Sequence, residues 1–184
     1  MMIALIIAGI IIVLIIAFIS LYNHLVQLKM RVKNAWAQID TQLKRRFDLI
    51  PNLIETVKGY MVHEESTLKE LVDARNNFAN ANTMEGKADA NKALSGNLKS
   101  LFAIAEAYPD LKANQNFSEL QTELASTEDK VAYSRQFYND TVQMYNTAIM
   151  TFPGNVFANM FKFTEEKFFE ITNTDERENV KVKF

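Results

Sequence analysis

Few side chains in this sequence are spaced for chemistry. His63-Glu64-Glu65 opens like the zinc-protease pattern, in which two histidines one helical turn apart hold the metal and the glutamate between them acts as base. Position 67 is threonine, so the second ligand is missing, and the only other histidine is His24. A metal would need carboxylates alone to complete its shell, so His63 reads as an exposed helix residue and His24 as an interfacial one. Glu64 with Glu65 and Glu165 with Glu166 read as surface charge runs, because nothing around them would bury one carboxylate beside another as acid–base catalysis requires. The chain has no cysteine, which removes disulfides, thiolate metal sites and cysteine nucleophiles together. Glycine-rich phosphate loops, nucleophile elbows and dinucleotide fingerprints are absent as well. Asp48, Asn52 and Glu55 flank Pro51 and are expected to cap the carbonyl that the proline frees. No catalytic residue, metal ligand or cofactor site is expected, and the chain reads as no enzyme.

The chain offers helical surface instead. Among its 184 residues the first charged side chain is Lys29, and Ile3 to Leu21 carry only Ser20 as a polar group. Nineteen residues at a rise of ~1.5 Å span roughly 28 Å, close to the ~30 Å hydrocarbon core of a bilayer. A cleavable secretory signal would want basic residues before this run and a small-residue site after it. Ala17-Phe18-Ile19 fails the second requirement, so the run reads as an uncleaved anchor with Tyr22 at the interface. Lys29, Arg31, Lys33, Lys44, Arg45 and Arg46 face only Asp40, a local charge of +5, which leaves −7 for the rest of a chain whose net charge is −2. Bases after a span stay on the cytoplasmic side, which predicts a single pass through the inner cell membrane, a short outside N-terminus and a cytoplasmic body. Lys29 to Lys33 suit anionic headgroups, whereas Lys44-Arg45-Arg46 suit a solvated face or a partner. The net-acidic remainder speaks against nucleic acid as a partner.

Beyond the span the apolar residues become periodic. Leu21, Leu25, Leu28, Val32, Ala35 and Ile39 alternate spacings of four and three, a heptad seam that makes the anchor and the first body helix one element. Leu43, Phe47, Ile50, Ile54, Val57 and Met61 carry it on after a stutter, with a kink expected at Phe47 to Pro51. Leu68, Leu71, Val72, Arg75 and Phe78 extend it to the Asn-rich turn Asn76–Gly86. A second helix is expected from about Glu85 to Tyr108, closed by Pro109. A capping box of Asn116 and Glu119 would start a long third helix with Leu120, Leu124, Thr127, Val131, Ser134, Tyr138, Val142, Tyr145 and Ile149 on its stripe. The expected fold is all-α, an up-down-up bundle of long antiparallel helices continuous with the membrane helix. The domains would be an anchor at 1–22, a bundle at 23–151 and an aromatic tail at 152–184. That tail holds seven of the thirteen phenylalanines and is expected to pack on the bundle, with a second subunit or the membrane surface as the other possible contacts.

Whole phrases of the chain resemble the LemA family. They are Tyr22-Asn23-His24-Leu25-Val26, Val32-Lys33-Asn34-Ala35-Trp36-Ala37-Gln38-Ile39-Asp40, and the long run Gln42 to Tyr60 that contains Arg45-Arg46-Phe47-Asp48-Leu49-Ile50-Pro51-Asn52-Leu53. Glu106-Ala107-Tyr108-Pro109-Asp110-Leu111, Asn116-Phe117, Ala132-Tyr133-Ser134-Arg135-Gln136-Phe137-Tyr138-Asn139, Tyr145-Asn146, Phe152-Pro153 and Val182-Lys183-Phe184 continue it. The resemblance implies a bacterial single-pass membrane protein with a helical cytoplasmic body, and it supplies no catalytic residues. The expected function is a membrane-anchored helical scaffold or adaptor that self-associates and organises other membrane or cytoplasmic proteins. A signal-transmitting module working through the Pro51 kink is the alternative. The lipid bilayer, further copies of the chain and an unidentified protein are the expected partners, and the small pair Ala4 and Ala8 would permit close approach of two spans.

Overall fold

The computed structural model describes residues 1–61 and 63–169. Seven helices occur in order among them: α1 (Met2–Asp48), α2 (Ile50–Lys58), α3 (Glu65–Asn80), α4 (Met84–Ala105), α5 (Pro109–Lys112), α6 (Gln115–Met150) and α7 (Gly154–Phe161). No strand is present among the described residues. The all-α class and the long apolar N-terminal helix thus agree with the sequence. The last fifteen tail residues, 170–184, lie outside the described residues.

Helix α1 runs for 47 residues without a break. From Met1 to Ser20 every residue is exposed, and from Leu25 onward one side of the same helix is buried at Leu25, Leu28, Val32, Ala35, Ile39 and Leu43. The expected heptad seam is therefore the buried stripe of this helix. Downstream the stripe departs from the expected one. Arg46, Ile50, Leu53 and Val57 continue the alternation after Leu43, and Ile54 is only partly buried. The charge on Arg46 disguised the seam position, and Phe47, buried beside it, suggested the wrong phase. The helix is interrupted at Leu49, within the stretch where the proline predicts a disturbance. Pro51 has no N–H for the Phe47 carbonyl, Leu49 N–H bonds back to the Arg46 carbonyl at 3.3 Å, and the chain passes into α2 through a helical Leu49.

The first helical stretch is also shorter than the periodicity suggested. It stops at Lys58, and α3 begins only at Glu65. Asn114 Nδ2 donates to Tyr60 Oη at 3.2 Å, and Tyr108 Oη donates to Glu64 at 3.3 Å, so the chain on each side of this break is tied to residues near α5. Helix α4 ends at Ala105, before the expected Tyr108, and Pro109 starts α5 instead of merely ending α4, a first-turn position that suits its fixed φ. The cap of α6 is Asn114, whose Oδ1 accepts from Phe117 N–H at 3.2 Å, and not Asn116.

The chain divides into two compact units. One comprises Met1–Thr41 with Ala132–Phe168, and the other comprises Gln42–Val131 with Phe169 among the described residues. In the first, the buried stripe of α1 is accompanied by Ser134, Tyr138, Val142, Tyr145 and Ile149 of α6 and by Phe157 and Ala158 of α7, with Trp36 edge-on to Tyr138. In the second, α3 and α4 form an antiparallel hairpin. Asn97 Nδ2 donates to the Glu70 carbonyl at 3.0 Å, and Lys87 sits 5.6 Å from the ring of Phe78. Phe78 in turn stacks on Phe47 with centroids 4.1 Å apart. Leu53, Val57, Leu71, Leu94, Leu98, Leu101, Leu111 and Leu124 fill the core of this unit.

Two positions near α7 have backbone reasons for their residues. A Cβ on Gly154 would lie 2.0 Å from the Ala148 carbonyl oxygen, so only glycine fits there. Lys162 closes α7 at φ 57°, in the left-handed region, where a side chain costs about 1 kcal/mol relative to glycine. Gly154→Ala should destabilise the protein by about 1–3 kcal/mol and Lys162→Gly should stabilise it by up to about 1 kcal/mol. Denaturant titration in detergent followed by circular dichroism checks both signs.

Candidate functional site

Three features carry the functional information: an exposed apolar helix, a latch that fastens the tail, and a buried arginine. The first follows from composition. Ile, Leu, Val and Ala fill the helix from Ile3 to Ile19, and its large apolar side chains are exposed on all sides, Ile3 at 73% and Phe18 at 40%. No other described helix is as long and apolar, and this one is sufficient in both respects to cross a membrane. Past its end the two faces of α1 diverge. Ser20, Asn23, His24 and Gln27 line an open indentation of about 500 Å³ on one side with Ile16 and Ile19. Phe18, Tyr22, Leu25 and Lys29, spaced as one stripe, make up the other. Phe18 packs on Phe157 at 4.8 Å, Tyr22 packs on Phe161 at 4.7 Å, and Lys29 Nζ lies 5.8 Å from the Phe163 ring.

The tail is held by a ladder of side chains from α6. Asn146 bonds the backbone of Glu166 twice, donating from Nδ2 to its carbonyl at 2.9 Å and accepting at Oδ1 from its N–H at 3.0 Å, as a neighbouring strand would. Tyr145 Oη donates to the Thr164 carbonyl at 3.0 Å, and Tyr138 Oη donates to that of Lys167 at 2.9 Å. The three groups are themselves buried, so the segment 164–167 satisfies polar atoms that would otherwise be costly inside the unit. Burial and the neighbouring Glu166 raise the Tyr145 phenol above its ordinary value.

Arg46 is the buried charge among the described residues of the second unit, 3% exposed. Its guanidinium donates to Asn91 Oδ1 at 2.6 Å and to Ser95 Oγ at 3.0 Å, and it pairs with Glu128, whose side chain is 45% exposed. Ser95 also donates to Glu128 at 3.2 Å, which closes a small polar network joining α1, α4 and α6 within this unit. Burial pulls the arginine below its ordinary value while Glu128 opposes it. Lys44-Arg45-Arg46 are expected on a solvated face or at a partner contact. That holds for Lys44 and for Arg45, which is exposed and pairs with Glu123, but not for Arg46. A base standing three residues after Leu43 and four before Ile50, on the seam itself, was the available signal.

The other polar residues singled out in the sequence remain dispersed. His24 and His63 are exposed on separate parts of the chain, and Glu64 accepts from Tyr108. Among the described residues no group of three histidines or acids is placed to hold a metal. Asp48, Asn52 and Glu55 are exposed and their side chains make no hydrogen bond among the described residues, so the expected proline cap is absent. Their positions on the outer side of the helix, opposite the buried Ile50, Leu53 and Val57, explain why.

A profile of the LemA family matches residues 35–184, which hold both the arginine network and the latch. The chain belongs to the LemA family. Among its LemA-like relatives, Protein LemA of Metamycoplasma hominis is 26% identical over 137 residues, 74% of this chain and 63% of that protein. Magnetosome protein MamQ of Magnetospirillum gryphiswaldense is 24% identical over 174 residues, 80% of this chain and 64% of that protein. Magnetosome protein MamQ 2 of Paramagnetospirillum magneticum is 23% identical with 81% of this chain covered. The chain thus spans just under two thirds of the length of these relatives.

Two outcomes follow for this LemA-family chain. Removing Glu128 strands a buried cation, whereas replacing Arg46 by an apolar residue of similar length leaves a carboxylate that water can reach. Glu128→Ala should cost about 3 kcal/mol and Arg46→Met closer to 1 kcal/mol, in denaturant titration. For Tyr145 the folded pKa lies above the unfolded value of about 10, so its stabilisation is complete below that value and is lost as pH rises through the folded one. The stability gap between wild type and Tyr145→Phe, about 1 kcal/mol at neutral pH, should shrink above pH ~10.

Proposed function

We propose that this LemA-family chain is a membrane-anchored helical scaffold or adaptor that self-associates and organises other membrane or cytoplasmic proteins. The observation that carries the reading is the transition within α1, from a helix exposed and apolar on every side to one with a single buried stripe, without a break in the backbone ladder. A body mounted on such a helix keeps its orientation to the membrane, which a holding function uses and a diffusing catalyst does not. The base-rich stretch after the span favours a cytoplasmic body and an outside N-terminus. The magnetosome proteins among its relatives fit a role at a membrane. Long antiparallel helices and the exposed aromatic side chains supply apolar surface for further copies or a partner.

One observation favours a second reading, a signal-transmitting module. The helix interruption at Leu49 stands next to the buried Arg46 network, so a change in kink angle would act directly on it. Pro51→Ala would then alter a cellular output while leaving stability within about 1 kcal/mol, whereas simple loss of stability would favour the scaffold.

Flotation with phosphatidylcholine vesicles after an alkaline wash tests the anchoring. The full chain should float, and Ile7→Lys with Ile11→Lys, at about 3 kcal/mol each in the span, should release it. Retention of the doubly substituted chain contradicts the reading. Light scattering of the detergent-extracted protein at micromolar concentration should give a mass above that of one chain, and a strict monomer removes the self-association.

A further inference from the structure

The geometry points to the α6–α7 turn as a second membrane contact, an interfacial wedge whose partner is the lipid bilayer that α1 enters. This inference rests on the anchoring reading above.

The two uncharged stretches of the chain meet in the first unit. Residues 1–28 carry no charged side chain, and neither do the twenty-one residues 141–161, which run from Asp140 to Lys162 and comprise the end of α6, the turn and α7. The tail climbs α1 in order. Phe157 meets Phe18, Phe161 meets Phe18 and Tyr22, and Phe163 meets Tyr22 with Lys29 nearby. Phe157, the first of these rings in the chain, lies against Phe18 inside the apolar segment, and the turn Phe152-Pro153-Gly154 stands directly before it in the chain. The latch confirms the sense of the hairpin, since Tyr145, Asn146 and Tyr138 of α6 fasten residues 164, 166 and 167 as the tail returns.

Residues 151–161 expose large apolar side chains, with Thr151 and Asn159 the exposed polar ones among them. Phe152 is 83% exposed in the turn, and Val156 at 50% and Met160 at 58%, four residues apart, lie along one side of α7, while Phe157 and Ala158 are buried. Met150 and Met144 of α6 add to the same uncharged end. Side chains of this kind beside Phe18, which lies inside the apolar run, match the boundary between acyl chains and headgroups. The first charges beyond the stretch also fit that depth. Lys29 rests by the Phe163 ring and Lys162 closes α7, where each ammonium reaches the headgroup layer while its stem lies on apolar surface. With α1 spanning and the turn embedded, the first unit touches the bilayer at two points, which fixes its rotation about the α1 axis as well as its tilt.

The test uses the absence of native cysteine. Val156→Cys and Met160→Cys, each in the full chain and each carrying a nitroxide, are placed in phosphatidylcholine vesicles beside Ile11→Cys in the span and Lys99→Cys on an exposed face of α4. Power saturation compares collisions with oxygen, which concentrates in lipid, and with a water-soluble nickel chelate. The labels at 156 and 160 should resemble that at 11, with an oxygen-to-nickel ratio several-fold above that at 99. If those two labels behave like residue 99 while residue 11 remains in lipid, the wedge is overturned and the anchor stands. If both are shielded from either reagent and broadened by a neighbouring label, a second copy covers the turn and the wedge is overturned in its favour. If residue 11 also behaves like residue 99, anchoring and wedge fall together.

Discussion

A backbone that has satisfied its own hydrogen bonds can change surroundings without changing conformation, and α1 depends on this property. Its i to i−4 ladder is internal, so the residues from Ile3 to Ile19 can be exposed on every side while those from Leu25 to Leu43 bury one stripe, with no loop needed between them. The consequence is mechanical. Orientation set at one end of the helix is transmitted to the other, and α6, α7 and the tail of the first unit are arranged against a member whose direction is already fixed. The Phe18–Phe157 and Tyr22–Phe161 contacts occur where exposure changes from all-round to one-sided, and they thicken the helix at that level.

The ladder is interrupted once before α2 ends, and the interruption is managed locally. Pro51 removes the donor for one carbonyl, and Leu49 stays in helical φ/ψ, so the chain passes from α1 into α2. Next to that interruption the protein buries Arg46, with Asn91, Ser95 and Glu128 around it. A buried ion pair contributes little net stability against an apolar alternative. It does demand one arrangement of α1 against the two helices that supply its partners, α4 and α6, because a shifted register would leave the guanidinium with no acceptor.

Much of the fold was legible in the sequence, because burial on one side of a helix leaves a period. The stripe Leu25, Leu28, Val32, Ala35, Ile39 and Leu43 reads directly, as does the lipid-length run before it, and the proline marks the interruption between α1 and α2. The misreadings share a cause. Periodicity counts apolar residues, so it passed over Arg46, chose Ile54 in place of Leu53 after Pro51, and joined α2 to α3. Between those helices Tyr60 and Glu64 bond to Asn114 and Tyr108, partners distant in sequence. The latch was invisible for the same reason. Tyr138, Tyr145 and Asn146 are ordinary stripe residues until the tail's backbone lies against them. A site built from backbone atoms has no motif.

Continuity of α1 through residues 20–30 is the claim on which the rest turns, and amide hydrogen exchange of the full chain in phosphatidylcholine vesicles tests it most directly. The amides from Ser20 to Met30 should be protected as strongly as those from Val32 to Leu43, since both lie in one uninterrupted ladder. Rapid exchange confined to Tyr22–Gln27, with protection on both sides, would reveal a hinge between the apolar segment and the buried stripe and would contradict a rigidly mounted body.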